Sequence, residues 1–566
     1  MKKRFSLILS LLLLCLTCLA QISTKQQPRS FKLNSVKFSQ NNTIVLSSPD
    51  VRELLFEEEQ KNDLFKQRSC AVVIPMEENF FNRAEKISLS DADLYLLKIK
   101  CEGALALNFY SNDFYLPQGG EFYIWNTSKT KCLGAFTSDN NSSDGMFATD
   151  YVYDDEMILE YYQPKSVTEN AKINISSFGY FYRDVFNFEQ EKALIEDFDD
   201  NVSSVQNLPY KDYRESGSCN VNVNCSEGDN FRDVQRSVVR MLIYTNAALY
   251  WCSGTLVNNT NNDRKPYIFS AAHCIEKVDR NSYYSQIVFY FNYETSGCTN
   301  PTKEPSYSTL TGCTRLSYDS KYGEGGTDYL LLELKNNVPQ SYNPYWAGWS
   351  SKDELFRGCV SIHHPSGDVK KISTVDGAIQ DMGYDENYWD YDTHRMTKWK
   401  KTANGYGITE GGSSGSGLFN AEGLLIGSLS GGESSCYASD NNKVDWYGRM
   451  DVTFPKIKQW LDPQNTGYTD FAGREYTVGL EQCNKGSFEM DIYPIPATDN
   501  INIALKNMNN NGIITILDGL GRSVYSKEIF AGTNTYCIDI ENFVKGVYYV
   551  RIYSKGDSII KKIIVR

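Results

Sequence analysis

All four histidines of this 566-residue chain, His273, His363, His364 and His394, precede a glycine- and serine-rich stretch from Thr409 to Phe419. The stretch reads Thr-Glu-Gly-Gly-Ser-Ser-Gly-Ser-Gly-Leu-Phe and is followed by an apolar run at Leu424, Leu425 and Ile426. Taken alone, such a cluster is most often a flexible connection. The histidine order changes that. Gly411-Gly412-Ser413-Ser414-Gly415 satisfies the G-x-S-x-G elbow, with Ser413 attacking, but an α/β-hydrolase places its histidine after its serine. That fold is excluded, because no histidine follows Ser413. The overlapping pattern Gly412-Ser413-Ser414-Gly415-Ser416-Gly417 makes Ser414 the nucleophile and asks for His, then Asp, then Ser. The chain supplies that order.

His273 is the candidate base. It lies in Phe269-Ser270-Ala271-Ala272-His273-Cys274, where an apolar run enters small residues that leave room for an imidazole beside an anchorable cysteine. His363 and His364 precede Pro365 in an expected loop and read as structural or substrate-edge residues, while His394, among charged neighbours, reads as surface. Asp328 is the candidate acid, since it opens the apolar run Tyr329-Leu330-Leu331-Leu332. A carboxylate at the mouth of a buried strand is costly unless paired, and a histidine Nδ1–H is a suitable partner. A serine hydroxyl needs such a base to become nucleophilic. Gly412 would let its own N–H and that of Ser414 converge on an oxyanion.

The rest of the chain sets this cluster in an exported, multidomain protein. Met1–Ala20 has a basic head, a short apolar core and small residues before Gln21, as in a secretory signal peptide. The apolar run falls short of the roughly 20 residues needed to span a membrane, and no later segment is long enough. A formal charge of −13 lacks the basic footprint of a nucleic-acid binder. Residues 21–214 show alternating runs such as Leu94–Ile99, Ala106–Phe109 and Phe122–Trp125, separated by turn formers, which predicts a small antiparallel sandwich. A helical piece is expected near Glu189 to Phe198. The region holds no histidine and reads as an inert accessory segment. Residues 215–467 alternate strand-like runs with glycine-rich loops, and 468–486 read as a linker rich in Gly, Asn and Thr. Residues 487–566 again show strand alternation and predict a small β-sandwich.

Eight cysteines lie between Cys219 and Cys436, an even set that reads as a disulfide framework in an exported protein. No Cys-x-x-Cys pair is present among these eight, so a metal is not expected.

The segment from Ser216 to Gly467 resembles the lysyl endopeptidases, chymotrypsin-like bacterial serine proteases. The resemblance rests on Ser216–Asn220, Leu256–Thr260 with Asn262–Lys265, Asp328 with Leu331–Leu334, Trp346–Trp349, Ile362–Pro365, Gly412–Ser416 and Trp460–Pro463. It implies an all-β protein whose protease domain is a double β-barrel with the triad His273, Asp328 and Ser414 and the oxyanion donors of Gly412 and Ser414. It further implies the disulfides Cys219–Cys436, Cys225–Cys298 and Cys252–Cys274, and Cys313–Cys359 is expected as the remaining pair. In this family a pocket carboxylate falls where Asp445 stands, nine residues after Cys436, and recognises a basic side chain. The strand around Ser430 and Gly431 is expected to pair with substrate backbone. Without the resemblance, Asp445 reads as paired with Lys443 or Arg449. Ser430 stands where well-known members carry a His stacked on a Trp, and Trp389 is the candidate for that Trp.

The resemblance also implies a precursor, with residues 21–214 as a β-rich propeptide that assists folding, blocks the site and is cut near Lys211 or Arg214. Residues 487–566, with Asp491–Ala497, Gly546–Ile552 and Ile559–Arg566, resemble the C-terminal sorting domains of type IX secretion. The expected function is a secreted or cell-surface serine endopeptidase cutting after basic residues, Lys preferred, with no cofactor. Its partners would be protein substrates, its own propeptide and the secretion machinery. A broader Lys/Arg specificity, or a catalytically silent adhesin of the same fold, is the alternative. The complete set His273, Asp328, Ser414 and Gly412 favours the enzyme, because a binder has no need of all four.

Overall fold

A computed structural model describes residues 27–33, 38–59, 68–183, 216–301, 303–319, 326–381, 392–475, 488–508, 510–518, 523–532, 535–554 and 557–566. The expected signal peptide, the helix near Glu189, the cleavage positions Lys211 and Arg214, and Trp389 lie outside them. The chain divides into two units, Met1–Glu475 and Tyr476–Arg566. No helix among the described residues is long and apolar enough to cross a membrane.

The N-terminal region is a two-layer sandwich. One sheet runs Thr43–Val45, Ala92–Lys100, Glu156–Pro164, Glu121–Asn126, Cys132–Phe136, with Glu85–Ser88 paired beside Ala92–Lys100. The strand Ala92–Lys100 buries both faces, with Leu94 and Leu96 in one core and Leu97 and Ile99 in another. Leu97, Ile99, Phe109, Phe122, Phe147, Leu159 and Phe178 fill the space between the layers, and Phe114 stacks on Phe147 at 3.9 Å.

The second layer does not stop at the edge of the sandwich. Its strand Ser69–Asn79 lies between Lys172–Phe181 on one side and Ala248–Val257 of the next domain on the other, in the register Ala248↔Val72 and Leu249↔Ala71. The result is one 11-stranded sheet shared by the two regions. Strand addition satisfies backbone groups on two edges that would otherwise be exposed. Side chains reinforce the seam. Asp150 accepts from the hydroxyls of Tyr290 (2.7 Å) and Tyr307 (2.6 Å), Lys131 pairs with Glu304 at 3.0 Å, and Asp144 meets Lys335 at 2.8 Å and Ser285 at 2.5 Å. The sandwich is as expected, but the region is not an inert appendage. Sequence periodicity reports which face of a strand is buried, not which strand it adds to.

Within residues 216–475 the same sheet continues through Val238–Tyr244, Val288–Phe291 and Ser308–Thr311 on one side. On the other it continues through Tyr267–Ala271, Tyr329–Leu334 and Cys313–Tyr318. A second, nine-stranded sheet contains Lys371–Thr374, Val360–His363, Gly417–Phe419, Leu425–Gly432, Val444–Arg449 and His394–Lys398. Val238, Phe269, Leu331, Trp349, Ile362, Phe419 and Leu425 from both sheets share one core, closed by Met450, Phe454 and Ile457 of the helix Met450–Leu461. This is the all-β, two-barrel arrangement expected. Asp470–Phe471 pairs with Trp349–Ser350, and Arg474–Glu475 pairs with Tyr345–Trp346. Residues 470–475 therefore belong to this domain rather than to the linker expected from 468.

The C-terminal unit is a sandwich of a three-stranded sheet (Glu489–Tyr493, Asn500–Lys506, Thr535–Asp539) and a four-stranded sheet (Gly512–Leu517, Ser523–Ile529, Gly546–Ser554, Asp557–Val565). Ile501, Ile503, Ile514, Ile516, Val550 and Ile563 form its core.

Candidate active site

The strand Tyr267–Ala271 delivers His273 into a single turn, Ala272–Ile275, at its end. The neighbouring strand Tyr329–Leu334 starts one residue after Asp328, and the two pair through Ala271↔Tyr329. Adjacent strand ends thus bring the two side chains together. The His273 Nδ1–H donates to Asp328 Oδ2 at 2.7 Å, and the His273 backbone N–H donates to Oδ1 at 2.9 Å. Neither side chain is exposed to solvent. Asp328 adopts φ +53°, the left-handed region that side chains rarely occupy. Its carbonyl accepts from Ala272 N–H at 2.9 Å, which holds that conformation. Cys252–Cys274 ties the residue after His273 to the strand Ala248–Val257.

The serine loop packs on the same strand. The Ser414 carbonyl accepts from Ser253 N–H at 2.8 Å and lies 3.6 Å from the Cys274 Sγ. Gly412 has φ +94°, and a Cβ there would come within 2.8 Å of the His364 carbonyl oxygen and 2.9 Å of the Gly367 nitrogen. Only glycine fits.

The two serines left open by the overlapping motifs sit in different surroundings. Ser413 Oγ accepts from Glu410 N–H at 3.1 Å and lies 2.7 Å from His363 Nδ1. His363 Nε2 is 2.9 Å from Ser373 Oγ, which donates to the Ile408 carbonyl. One consistent direction runs through this chain: Ser413 donates to Nδ1, and Nε2–H donates to Ser373. Ser413 is thereby committed to holding the loop together. His363 is the last residue of the strand Val360–His363 and is fully buried, not a loop or substrate-edge residue. His364 is buried too, donates from Nδ1 to the Asp368 carbonyl at 2.9 Å, and is held well below the ordinary histidine range by burial and by the Lys370 cation.

Asp445 is fully buried. Its Oδ2 accepts from Trp399 Nε1 (2.5 Å), Thr409 Oγ (2.7 Å) and Ser434 Oγ (2.5 Å), and its Oδ1 accepts from Ser434 N–H at 3.4 Å. The local pairing read from sequence is not seen. Lys443 donates instead to the carbonyls of Ser435, Cys436 and Ala438, and Arg449 pairs with Asp451 and Asp353. Closeness in sequence does not imply contact: four residues along a strand span about 13 Å, while donors from other segments surround the Asp445 carboxylate. Asp445 stands opposite Gly432, where a Cβ would collide with its Oδ1.

Ser430 and Gly431 lie on the strand Leu425–Gly432, at an irregularity in its pairing. Ser430 Oγ is 3.0 Å from His394 Nε2, whose Nδ1 is 2.9 Å from Thr393 Oγ. His394 is buried, contrary to the surface position expected, because the strand His394–Lys398 pairs with Val444–Arg449 and sets the ring against Ser430. Trp399, Thr409 and Ser434 were not assigned from sequence. Each acts through a partner distant along the chain.

Three disulfides join Cys219–Cys436, Cys225–Cys298 and Cys252–Cys274. The expected Cys313–Cys359 bond is absent and both thiols are buried. Cys313 starts a strand of the first sheet, whereas Cys359 immediately precedes a strand of the second and packs in a separate core with Trp399 and Leu418. An even cysteine count cannot reveal that two of them face different cores. Burial pushes the Cys359 thiol up to about 12 and the Cys313 thiol higher still.

Residues 213–448 match the family model described as lysyl endopeptidase, C-terminal domain, and residues 491–566 match that of the secretion system C-terminal sorting domain. A lysyl endopeptidase of Pseudomonas aeruginosa is 32% identical over 278 residues, covering 46% of this chain and 56% of the relative. The chain thus spans about half the length of that relative. Among solved structures, the inactive forms of Rv3671c, one described as from Mycobacterium tuberculosis H37Rv and the other as a protease, align over 41% of this chain and 89% and 92% of theirs. Their identity is 12% and their TM-scores are 0.27 and 0.25. The chain is thus similar to the lysyl endopeptidase C-terminal domain over residues 213–448 and to the secretion system C-terminal sorting domain over residues 491–566.

Proposed function

We propose that this protein is an exported serine endopeptidase that cuts on the carboxyl side of lysine by a His273–Asp328–Ser414 triad. The buried hydrogen bond between His273 and Asp328, at the strand end over which the Ser414 loop packs, carries the reading. His273 takes the proton of Ser414 Oγ as it attacks the scissile carbonyl and returns it to the leaving amine. Asp328 holds the tautomer with Nε2 directed to the serine and stabilises the imidazolium. The N–H groups of Gly412 and Ser414 receive the oxyanion, and water then releases the acyl group from Ser414. Ser430 and Gly431 align the substrate backbone.

Asp445 supports the preference for a basic side chain, since a buried cation needs a counter-charge. The occupation of its Oδ2 by three donors supports Lys over Arg. A guanidinium binds a carboxylate best through both oxygens, whereas an ammonium needs one. The sorting domain supports export through type IX secretion to the cell surface or medium. The shared sheet supports residues 21–214 acting as a folding partner of the protease.

Wild type and Ser414→Ala, compared on Lys- and Arg-terminated peptide amides, test the reading. Hydrolysis by wild type alone, faster for Lys, is expected. Equal hydrolysis by both forms would refute the mechanism, and an Arg rate equal to that for Lys would refute the selectivity.

A further inference from the structure

Arg240 is almost completely buried in the strand Val238–Tyr244, and the reaction as described makes no use of it. Its guanidinium lies over three rings, with centroids at 4.2 Å for Trp251, 4.2 Å for Tyr290 and 3.8 Å for Tyr293. Aromatic faces attract a cation, most strongly when it is desolvated. One guanidinium nitrogen, Nη1, leaves this cage and donates to the Gly367 carbonyl at 2.7 Å.

Gly367 ends the turn His364–Gly367. It has φ +67°, and a Cβ there would come within 2.5 Å of the Trp251 ring, one of the three that hold Arg240. The turn is therefore seated on the cage by a ring contact and by a charged hydrogen bond. Its other side faces the serine loop. Ser366, itself at φ +53°, donates its N–H to the Gly411 carbonyl at 2.5 Å. The His364 N–H donates to Ser253 Oγ at 2.9 Å, and Ser253 Oγ donates to the Gly412 carbonyl at 2.9 Å. The backbone on both sides of the Gly412 N–H is thus braced by a turn that Arg240 anchors. A left-handed conformation at a residue other than glycine persists only where its surroundings hold it.

We propose that Arg240 is a positioning residue for the oxyanion hole, acting through the turn His364–Gly367. The inference rests on the catalytic reading of Ser414 and Gly412. Desolvating a charge is costly, so stability alone is a weak account of its presence. The Nη1–Gly367 bond sets where the Gly411–Gly412 peptide lies, and hence where the Gly412 N–H points. Asp445 is held by Trp399, Thr409 and Ser434, none of which belongs to this turn.

The test uses Arg240→Met, which keeps bulk without charge, and Arg240→Lys, which keeps the cation over the rings but loses the planar fork. Both are expressed as the full chain and compared with wild type, with Ser414→Ala as the control for the catalytic reading itself. Turnover is measured per active site titrated with a serine-directed reagent, together with the affinity of a peptidyl-lysine boronate and of a simple alkylamine. The boronate adduct needs the oxyanion hole, and the amine needs only Asp445. Removing one oxyanion donor outright costs about 100- to 1,000-fold in kcat, so displacing it is expected to cost about 10-fold or more in Arg240→Met. The boronate affinity should fall by a similar factor while KM and amine affinity stay within about 3-fold, and Arg240→Lys should be intermediate. If Arg240→Met yields no folded protein, Arg240→Lys decides. Unchanged turnover per titrated site in the folded variants, or equal losses of boronate and amine affinity, would overturn the proposal. Hydrolysis by Ser414→Ala would overturn the catalytic reading instead.

Discussion

The Asp328 carboxylate grips His273 at two points, Oδ2 on the ring Nδ1–H at 2.7 Å and Oδ1 on the backbone N–H at 2.9 Å. The ring is thereby fixed both in tautomer and in position. Asp328→Asn removes the acceptor that selects the tautomer while keeping the shape. We expect kcat to fall by about 10⁴-fold with KM little changed. Steady-state kinetics on a Lys peptide amide, corrected for folded protein, checks this.

Gly412 is the second sensitive point. At φ +94°, with the His364 carbonyl and the Gly367 nitrogen both under 3.0 Å from an added Cβ, Gly412→Ala must move the loop. The expected cost is about 100- to 1,000-fold in kcat, as for the loss of an oxyanion donor. Peptide hydrolysis per titrated site reads it, and a loss confined to KM would count against an oxyanion role.

Asp445→Asn keeps the size of the carboxylate and removes the charge that Trp399, Thr409 and Ser434 surround. Truncating one side of a buried charge pair costs about 2–5 kcal/mol, so kcat/KM for Lys substrates should drop by about 30-fold or more. Thr409→Val and Ser434→Ala free one position on Oδ2 and should narrow the gap between Lys and Arg. A panel of matched Lys and Arg peptides measures both effects.

The seam between the N-terminal region and the protease should respond to acid. Burial raises the Asp144 pKa, but hydrogen bonds from Lys335, Ser142 and Ser285 outweigh it and hold the carboxyl at about 2, below its ordinary 3.8. A depressed carboxyl contributes stability that is fully present above its unfolded value and lost as pH falls through the folded one. The stability difference between Asp144 and Asp144→Asn, both in a Ser414→Ala full chain, should therefore be constant above about pH 5. It should shrink below pH 4 and level off only below about pH 2. Denaturant melts across that range measure it.

Cys313 and Cys359 are separate buried thiols. A thiol reagent applied without reductant should leave both unmodified in the native protein and label both once it is denatured. Peptide mapping that found them joined would contradict the arrangement.

Much of the site was legible in the chain because the chemistry demands particular residues in a particular order. Four histidines ahead of the serine cluster excluded one fold, and the glycine at 412 marked a backbone that must turn sharply. The strands of the core were legible too, since Tyr329–Leu332 is a continuous apolar run and Val238–Tyr244 is one broken only by Arg240, as suits strands buried on both faces. Other features depended on which distant strands pack together. His394 read as surface because its sequence neighbours are charged, yet pairing with Val444–Arg449 buries it against Ser430. Ser413 and Ser414 are adjacent in sequence, but the strand carrying His363 commits Ser413 to the loop. The donors around Asp445 come from Trp399, Thr409 and Ser434, on three separate segments. The sequence by itself determined residue types, their order and the period of burial, because these follow from local backbone geometry and from the needs of the reaction. Partner identity was decided only by the tertiary structure, because a hydrogen bond depends on distance in space, and in a β-protein that distance is set by pairing between strands far apart in the chain.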